Sequence, residues 1–153
     1  MLDDLYSARL LSLSANIPNL GRLDAPQGSS TRHARMCGSV VTVDVVLNSD
    51  GLVCEFAQDV KACALGQASA AVLGEGVMGA SPKEVSQARD GLRSLLAGED
   101  VAFGDRFADL SIFEAVRDYK ARHASVMLAF EATAQAMEQA LEEAPASQAE
   151  PVS

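Results

Sequence analysis

The stretch Val40–Leu47, VVTVDVVL, limits the fold of this chain more than any other segment. β-Branched residues crowd a helix but pack well on a pleated surface, so the run is read as a strand. Thr42 and Asp44 alternate against Val41, Val43 and Val45, as in a strand with one buried face. The next four residues, NSDG, form a hairpin turn in which Gly51 takes the positive φ, and Leu52–Ala57 returns as a second strand. The segment before Cys37 adds a third. A small sheet of this kind is marginal alone, so helices must cover one face.

The remaining segments supply those helices. Leu2, Leu5, Tyr6, Leu10 and Leu13 recur at helical spacing, which predicts an amphipathic helix over residues 2–15. Residues 16–30 are rich in Pro, Gly, Asn and Ser and predict an extended loop. A helix of small residues runs from Cys63 to about Leu73, and GEGVMGA interrupts it. Ser81-Pro82-Lys83-Glu84 then makes a capping box with proline at the first helical position. Val85, Ala88, Leu92, Leu95 and Leu96 form the buried stripe of that helix, and Gly98 ends it. Residues 98–110 predict a loop carrying Phe103 and Phe107. A final helix over about 118–143 places Val126, Phe130, Met137 and Leu141 in register. The expected architecture is α+β: one domain over residues 1–143, with a two- to three-stranded antiparallel sheet and helices on one face. APASQAEPVS, residues 144–153, is expected to be a disordered tail.

Composition removes several classes of function. A formal net charge of −9 argues against capture of nucleic acid or an anionic membrane surface. No apolar run approaches the roughly 20 residues that span a bilayer. MLDDLYSARLLSLSA carries acids where a signal peptide carries a basic region, so no export signal is expected. Three cysteines, 17 and 9 residues apart, do not make a disulfide framework, and a reduced cytoplasmic protein is expected.

No phosphate loop, GxSxG, HExxH or CxxC occurs, which leaves Cys37, Cys54, Cys63, His33 and His123 to carry chemistry. Cys54 shares a strand face with Leu52 and Phe56 and is expected to be a small, inert core residue. His33 lies in a polar segment and is expected to be solvated. Cys37 precedes a strand, and Cys63 heads a helix whose unpaired N–H groups and positive dipole end favour a thiolate, with Lys61 as a nearby cation. The hairpin connects the two cysteines, so both can lie at one end of the sheet. A shared soft-metal site would set their sulfurs roughly 3.5–4 Å apart.

Taken together, several stretches resemble a known family. Asn16-Ile17-Pro18-Asn19 with Gly21 and Leu23, then Cys37-Gly38, is similar to the NxxNxG…CGD opening of the NifU-like iron–sulfur cluster scaffold proteins. Cys63 followed by Gln67-Ala68-Ser69-Ala70 resembles their GCxxSxAS segment. Arg122-His123-Ala124-Ser125-Val126-Met127-Leu128-Ala129-Phe130 resembles RxKCxxLAW, which opens their last helix. The resemblance covers roughly residues 2–142. It implies a non-enzymatic scaffold that holds a transient iron–sulfur cluster or iron, with zinc a further candidate at the same site. The implied partners are a cysteine desulfurase, which delivers sulfur, and recipient apo iron–sulfur proteins. The resemblance makes Cys37 and Cys63 both the persulfide acceptors and the metal ligands.

Two positions depart from the family pattern. Ser39 stands where the family has the aspartate of CGD, and Ser125 where it has the third cysteine. A neutral serine is a poor ligand for iron or zinc, because its hydroxyl is far less acidic than a thiol. His123 and Asp59 are the candidate replacements, and a homodimer would bring four thiolates together. Fewer ligands also suit a second role: a sulfur acceptor or desulfurase activator that builds no cluster.

Overall fold

A computed structural model describes residues 7–35 and 38–152, with side chains through residue 142. Strands β1 (Gly28–Ala34), β2 (Ser39–Leu47) and β3 (Val53–Lys61) form one antiparallel sheet in that order. The helices are α1 (Ala8–Ala15), α2 (Ala64–Gly76), α3 (Pro82–Leu96) and α4 (His123–Val152), with 3-10 turns over Asp105–Val116 and Lys120–Arg122. The third strand expected before Cys37 is β1, which takes in the last residues of the segment expected to be a loop.

The β2–β3 turn forms as its composition dictates. Asn48 Oδ1 accepts from the backbone N–H of Asp50 at 2.9 Å and of Leu52 at 3.1 Å, and Gly51 adopts φ 80°. Such an Asn pins its own turn, and glycine takes the left-handed conformation at no steric cost. Along β2 the side chains of Val41, Val43, Val45 and Leu47 are buried. Helix α4 lies against β1 and β2. It comes close because Ala129, Ala132, Ala136 and Ala140 are small and buried, and because position 28 carries no side chain. A Cβ on Gly28 would stand 1.8 Å from the carbonyl oxygen of Ala136. Helix α1 packs on α2, with Leu10 and Leu13 buried. The expected helical residues 2–6 lie outside the described residues.

The other sheet face carries a buried charge. Asp44 is fully buried and accepts from Arg22 Nε at 2.6 Å, Ser29 Oγ at 2.6 Å and the N–H of Leu23 at 3.1 Å. Burial raises the acid's pKa, but the Arg22 guanidinium, Ser29 and Leu23 outweigh it and hold the carboxyl below its ordinary value. Residues 16–27 are therefore a strap rather than a free loop. Gln58 N–H donates to Asn19 and Gly21 N–H to Gln58, both at 2.9 Å, pinning the strap along β3.

Cys54 corrects the sequence reading. Val46 pairs with Glu55 but Leu47 pairs with Val53, so Cys54 is the extra residue of a β-bulge. The bulge reverses the alternation, leaving Val53 and Phe56 inward and Cys54 exposed, with its thiol donating to Val46 O at 3.4 Å. Other boundaries moved less. Strand β3 continues through Gln58 and Asp59 to Lys61 because pairing with β2 outweighs their polarity. Helix α2 continues to Gly76, and α4 begins at His123 rather than 118. Within 98–110 the chain turns into the 3-10 segment at Asp105 and buries Phe107, which meets Phe130 edge-on at 5.4 Å. No helix among the described residues is long and apolar enough to cross a membrane.

Candidate functional site

Three elements converge where β2 begins. Ser39 opens β2 behind Gly38, whose φ of 67° makes the preceding turn. Cys63 is the N-cap of α2, in extended conformation. Ser125 lies in the first turn of α4. Ser125 Oγ is 2.9 Å from Ser39 Oγ and 3.4 Å from Cys63 Sγ. Both serines are 1% exposed, so the hydroxyls are shut off from bulk water, whereas Cys63 is only half-buried.

Local sequence explains the convergence. A Cβ on Gly66 would sit 2.8 Å from the Ala62 Cβ and 3.0 Å from Ser125 Oγ, so only glycine lets the start of α4 approach the first turn of α2. Ser69 then ties the two helices, donating to Val126 O at 2.6 Å. The small residues after Cys63 are thus a packing requirement of the site.

The thiol's acidity follows from this placement. Burial pushes the Cys63 pKa up. The Ser125 hydroxyl, the backbone N–H groups of Gly66 and Leu65, and the Arg122 guanidinium together pull it below the ordinary thiol value. No N–H makes a full capping hydrogen bond to Sγ, but the first turn points at it. The expected cation was Lys61; the one that acts on the thiol is Arg122. Lys61 is exposed at the end of β3, opposite Val40. Arg122 was missed because it precedes Cys63's helix partner by three residues in sequence and joins the thiol only through the fold.

The other predicted residues stand apart. His123 Nε2 lies 3.0 Å from Val116 O and 3.1 Å from Arg117 O, and so faces the turn that precedes α4. Asp59 is exposed opposite Thr42, on the sheet face away from the core. His33 is exposed on β1, where it lines a shallow pocket of about 490 Å³ with Arg32, Arg35 and Ser39. Cys37, and with it the expected Cys37–Cys63 distance, lies outside the described residues. Among the described residues no three His, Cys, Asp or Glu side chains converge as a metal site. The Cys63 thiol meets one hydroxyl, that of Ser125, which in turn meets that of Ser39. These residues by themselves do not fit an iron ion or a cluster.

Known proteins share this fold. No curated protein matches the chain. Among solved structures it is similar to a nitrogen-fixing NifU-like protein (N-terminal) from Brucella abortus. The identity is 45%, the match covers 93% of this chain and 98% of that one, and the TM-score is 0.89. It also shares the fold of a protein from Fervidobacterium islandicum assigned as an iron–sulfur cluster assembly scaffold for the SUF system. There the identity is 18%, the coverage 88% and 98%, and the TM-score 0.79. The family model of the NifU-like N-terminal domain matches residues 5–126. With the model spanning most of its length, the chain belongs to the NifU-like N-terminal domain family.

Proposed function

We propose that this protein is a scaffold of iron–sulfur cluster assembly and that Cys63 is where it takes up sulfur. The supporting observation is the meeting of Cys63 with Ser125 and Ser39, the positions where family resemblance expects a site. Sulfur arrives as the outer atom of a persulfide on a cysteine desulfurase. The Cys63 thiolate attacks that atom, the donor's S–S bond breaks, and the electron pair leaves with the donor cysteine, which takes a proton from solvent. The new bond is Cys63 Sγ–S, with no net redox change. The chain carries the sulfur rather than catalysing a turnover of its own. Iron and recipient apo-proteins complete the cycle, with Cys37 as the second cysteine of the site. We place this work in the cytoplasm, where thiols stay reduced.

The donor set favours a second reading, in which the protein accepts sulfur and stimulates the desulfurase without building a cluster. Serine at 39 and 125 leaves hydroxyls where softer or charged ligands would serve a metal. Anaerobic reconstitution with iron and sulfide separates the two. Cluster absorbance supports the scaffold, whereas sulfur loading from a desulfurase without bound iron supports the acceptor. Loss of neither on replacing Cys63 with alanine would remove Cys63 from both.

A further inference from the structure

Strand β1 is one edge of the sheet, and its neighbours fix which of its backbone groups face outward. Gln58 on β3 turns its N–H and C=O to the strap, so its partner Val43 bonds toward β1 instead. Val43 pairs with Ser30, which makes Ser30, Arg32 and Ala34 the residues bonded to β2. Ser29, Thr31 and His33 therefore present their N–H and C=O groups to the open edge. The Ser29 N–H agrees, because it leaves the sheet and donates to Gln139 Oε1 at 3.1 Å. Among the described residues, nothing outside the sheet is bonded to the backbone of Thr31 or His33, and both are exposed. An open edge of this kind is a template for another strand.

Charge selects the occupant. The shallow pocket along this edge is lined by Arg32, His33 and Arg35 and by no carboxylate among the described residues, in a chain of net charge −9. Arg32 reaches Glu131 only at 3.7 Å, and Arg35 has no ion pair among the described residues. Like charges brought face to face oppose pairing of β1 with β1 of a second copy, whereas carboxylates are attracted. We propose that the β1 edge from Thr31 to Arg35 takes an extended, acidic segment of another protein as a fourth strand. Main-chain bonds to Thr31 and His33 supply the pairing, and the cations select glutamate or aspartate side chains. The site is short, because Gln139 closes the edge at Ser29. Its far end is the Ala34–Ser39 end of the sheet, where Cys63 also lies, but the proposal does not depend on how Cys63 acts.

The test is a titration of the isotope-labelled full chain with a capped peptide of alternating glutamate and valine, read by amide hydrogen exchange. Exchange at Thr31 and His33 should slow about tenfold at saturating peptide, the scale of one backbone hydrogen bond. Ser30 and Arg32, already bonded within the sheet, should stay unchanged. A peptide with lysine in place of glutamate should bind at least about tenfold more weakly. Methylating the backbone nitrogens on the edge of the glutamate peptide that faces β1 leaves its charge intact and should abolish the protection. Arg35→Glu, a change at an exposed position, should weaken binding about tenfold with the melting temperature unchanged. Absence of protection at Thr31 and His33 overturns the proposal, as does equal binding of the methylated peptide. Equal binding of the lysine peptide, or wild-type binding by Arg35→Glu, overturns the selection of an acidic segment. Protection that grows with protein concentration and needs no peptide assigns the edge to a second copy of the chain and overturns the proposal as well.

Discussion

The polar clusters at Asp44 and at Cys63 both lie against the sheet, and they are built on opposite terms. At Asp44 a full charge is enclosed by groups from the same chain: a guanidinium, a hydroxyl and a backbone N–H. Every strong interaction there is internal, so the cluster fixes the strap of residues 16–27 and leaves nothing to offer a ligand. At Cys63 three weaker groups meet, and the sulfur at the end of the chain of contacts stays half-exposed. A charge closed on all sides makes architecture, and an acidic group closed on one side makes a reactive site.

The contrast is broken most severely by Cys63→Ala, which should abolish sulfur loading from a desulfurase while leaving the melting temperature near that of the wild type. Loading read by mass mapping checks the first, and a thermal melt the second. Asp44→Ala should do the reverse. Removing an acceptor shared by three donors should cost about 2–4 kcal/mol in denaturant unfolding, with Cys63 still reactive in the folded fraction. Arg22 is itself half in solvent, so Arg22→Ala should cost less than Asp44→Ala.

The Asp44 cluster also has a pH signature with a defined sign. Its folded pKa lies below that of the unfolded chain, so it contributes stability above the unfolded value, near 3.9. That contribution is lost as pH falls through the lower folded value. The stability gap between wild type and Asp44→Asn should be constant from about pH 7 down to about pH 5, then narrow in stronger acid. A gap that widens on acidification would reverse the assignment.

The division between what the sequence disclosed and what it hid follows the same physics. Local signals survived folding. The NSDG turn, the capping box in which Ser81 and Glu84 bond each other's backbone, and residues 8–15 of the expected N-terminal helix formed where composition placed them. Ser125 was located through the RHASVMLAF resemblance, and the structure sets it beside Cys63. Non-local features were hidden. The bulge at Cys54 arises from register against β2, which one strand's alternation cannot reveal. Arg122 acts on Cys63 from the far end of the chain, and Lys61, its neighbour in sequence, does not. Gly66 was visible as a small residue, but its reason for being small is a contact with α4.

Two smaller effects sharpen the comparison. Changing Ser39→Asp and Ser125→Cys together restores the family's ligand types. Zinc affinity should tighten on the order of tenfold, with Ser125→Cys the larger contributor as the softer donor. Competition against a chromogenic chelator reads this directly, and unchanged affinity in a folded double variant would mean that position 125 is not a corner of a metal site. Cys54→Ser is the smallest change. The residue is exposed on the bulge, so stability should move by less than about 0.5 kcal/mol and sulfur loading not at all.

The most direct measurement is the location of transferred sulfur. The full chain is incubated anaerobically with a cysteine desulfurase and cysteine, then trapped, digested and mapped by mass. The expected result is a gain of one sulfur atom on the peptide containing Cys63, absent without cysteine and absent in Cys63→Ala. Sulfur found only on other cysteines, or on none while the same desulfurase loads a control acceptor, would contradict the assignment of Cys63 as the site of sulfur uptake.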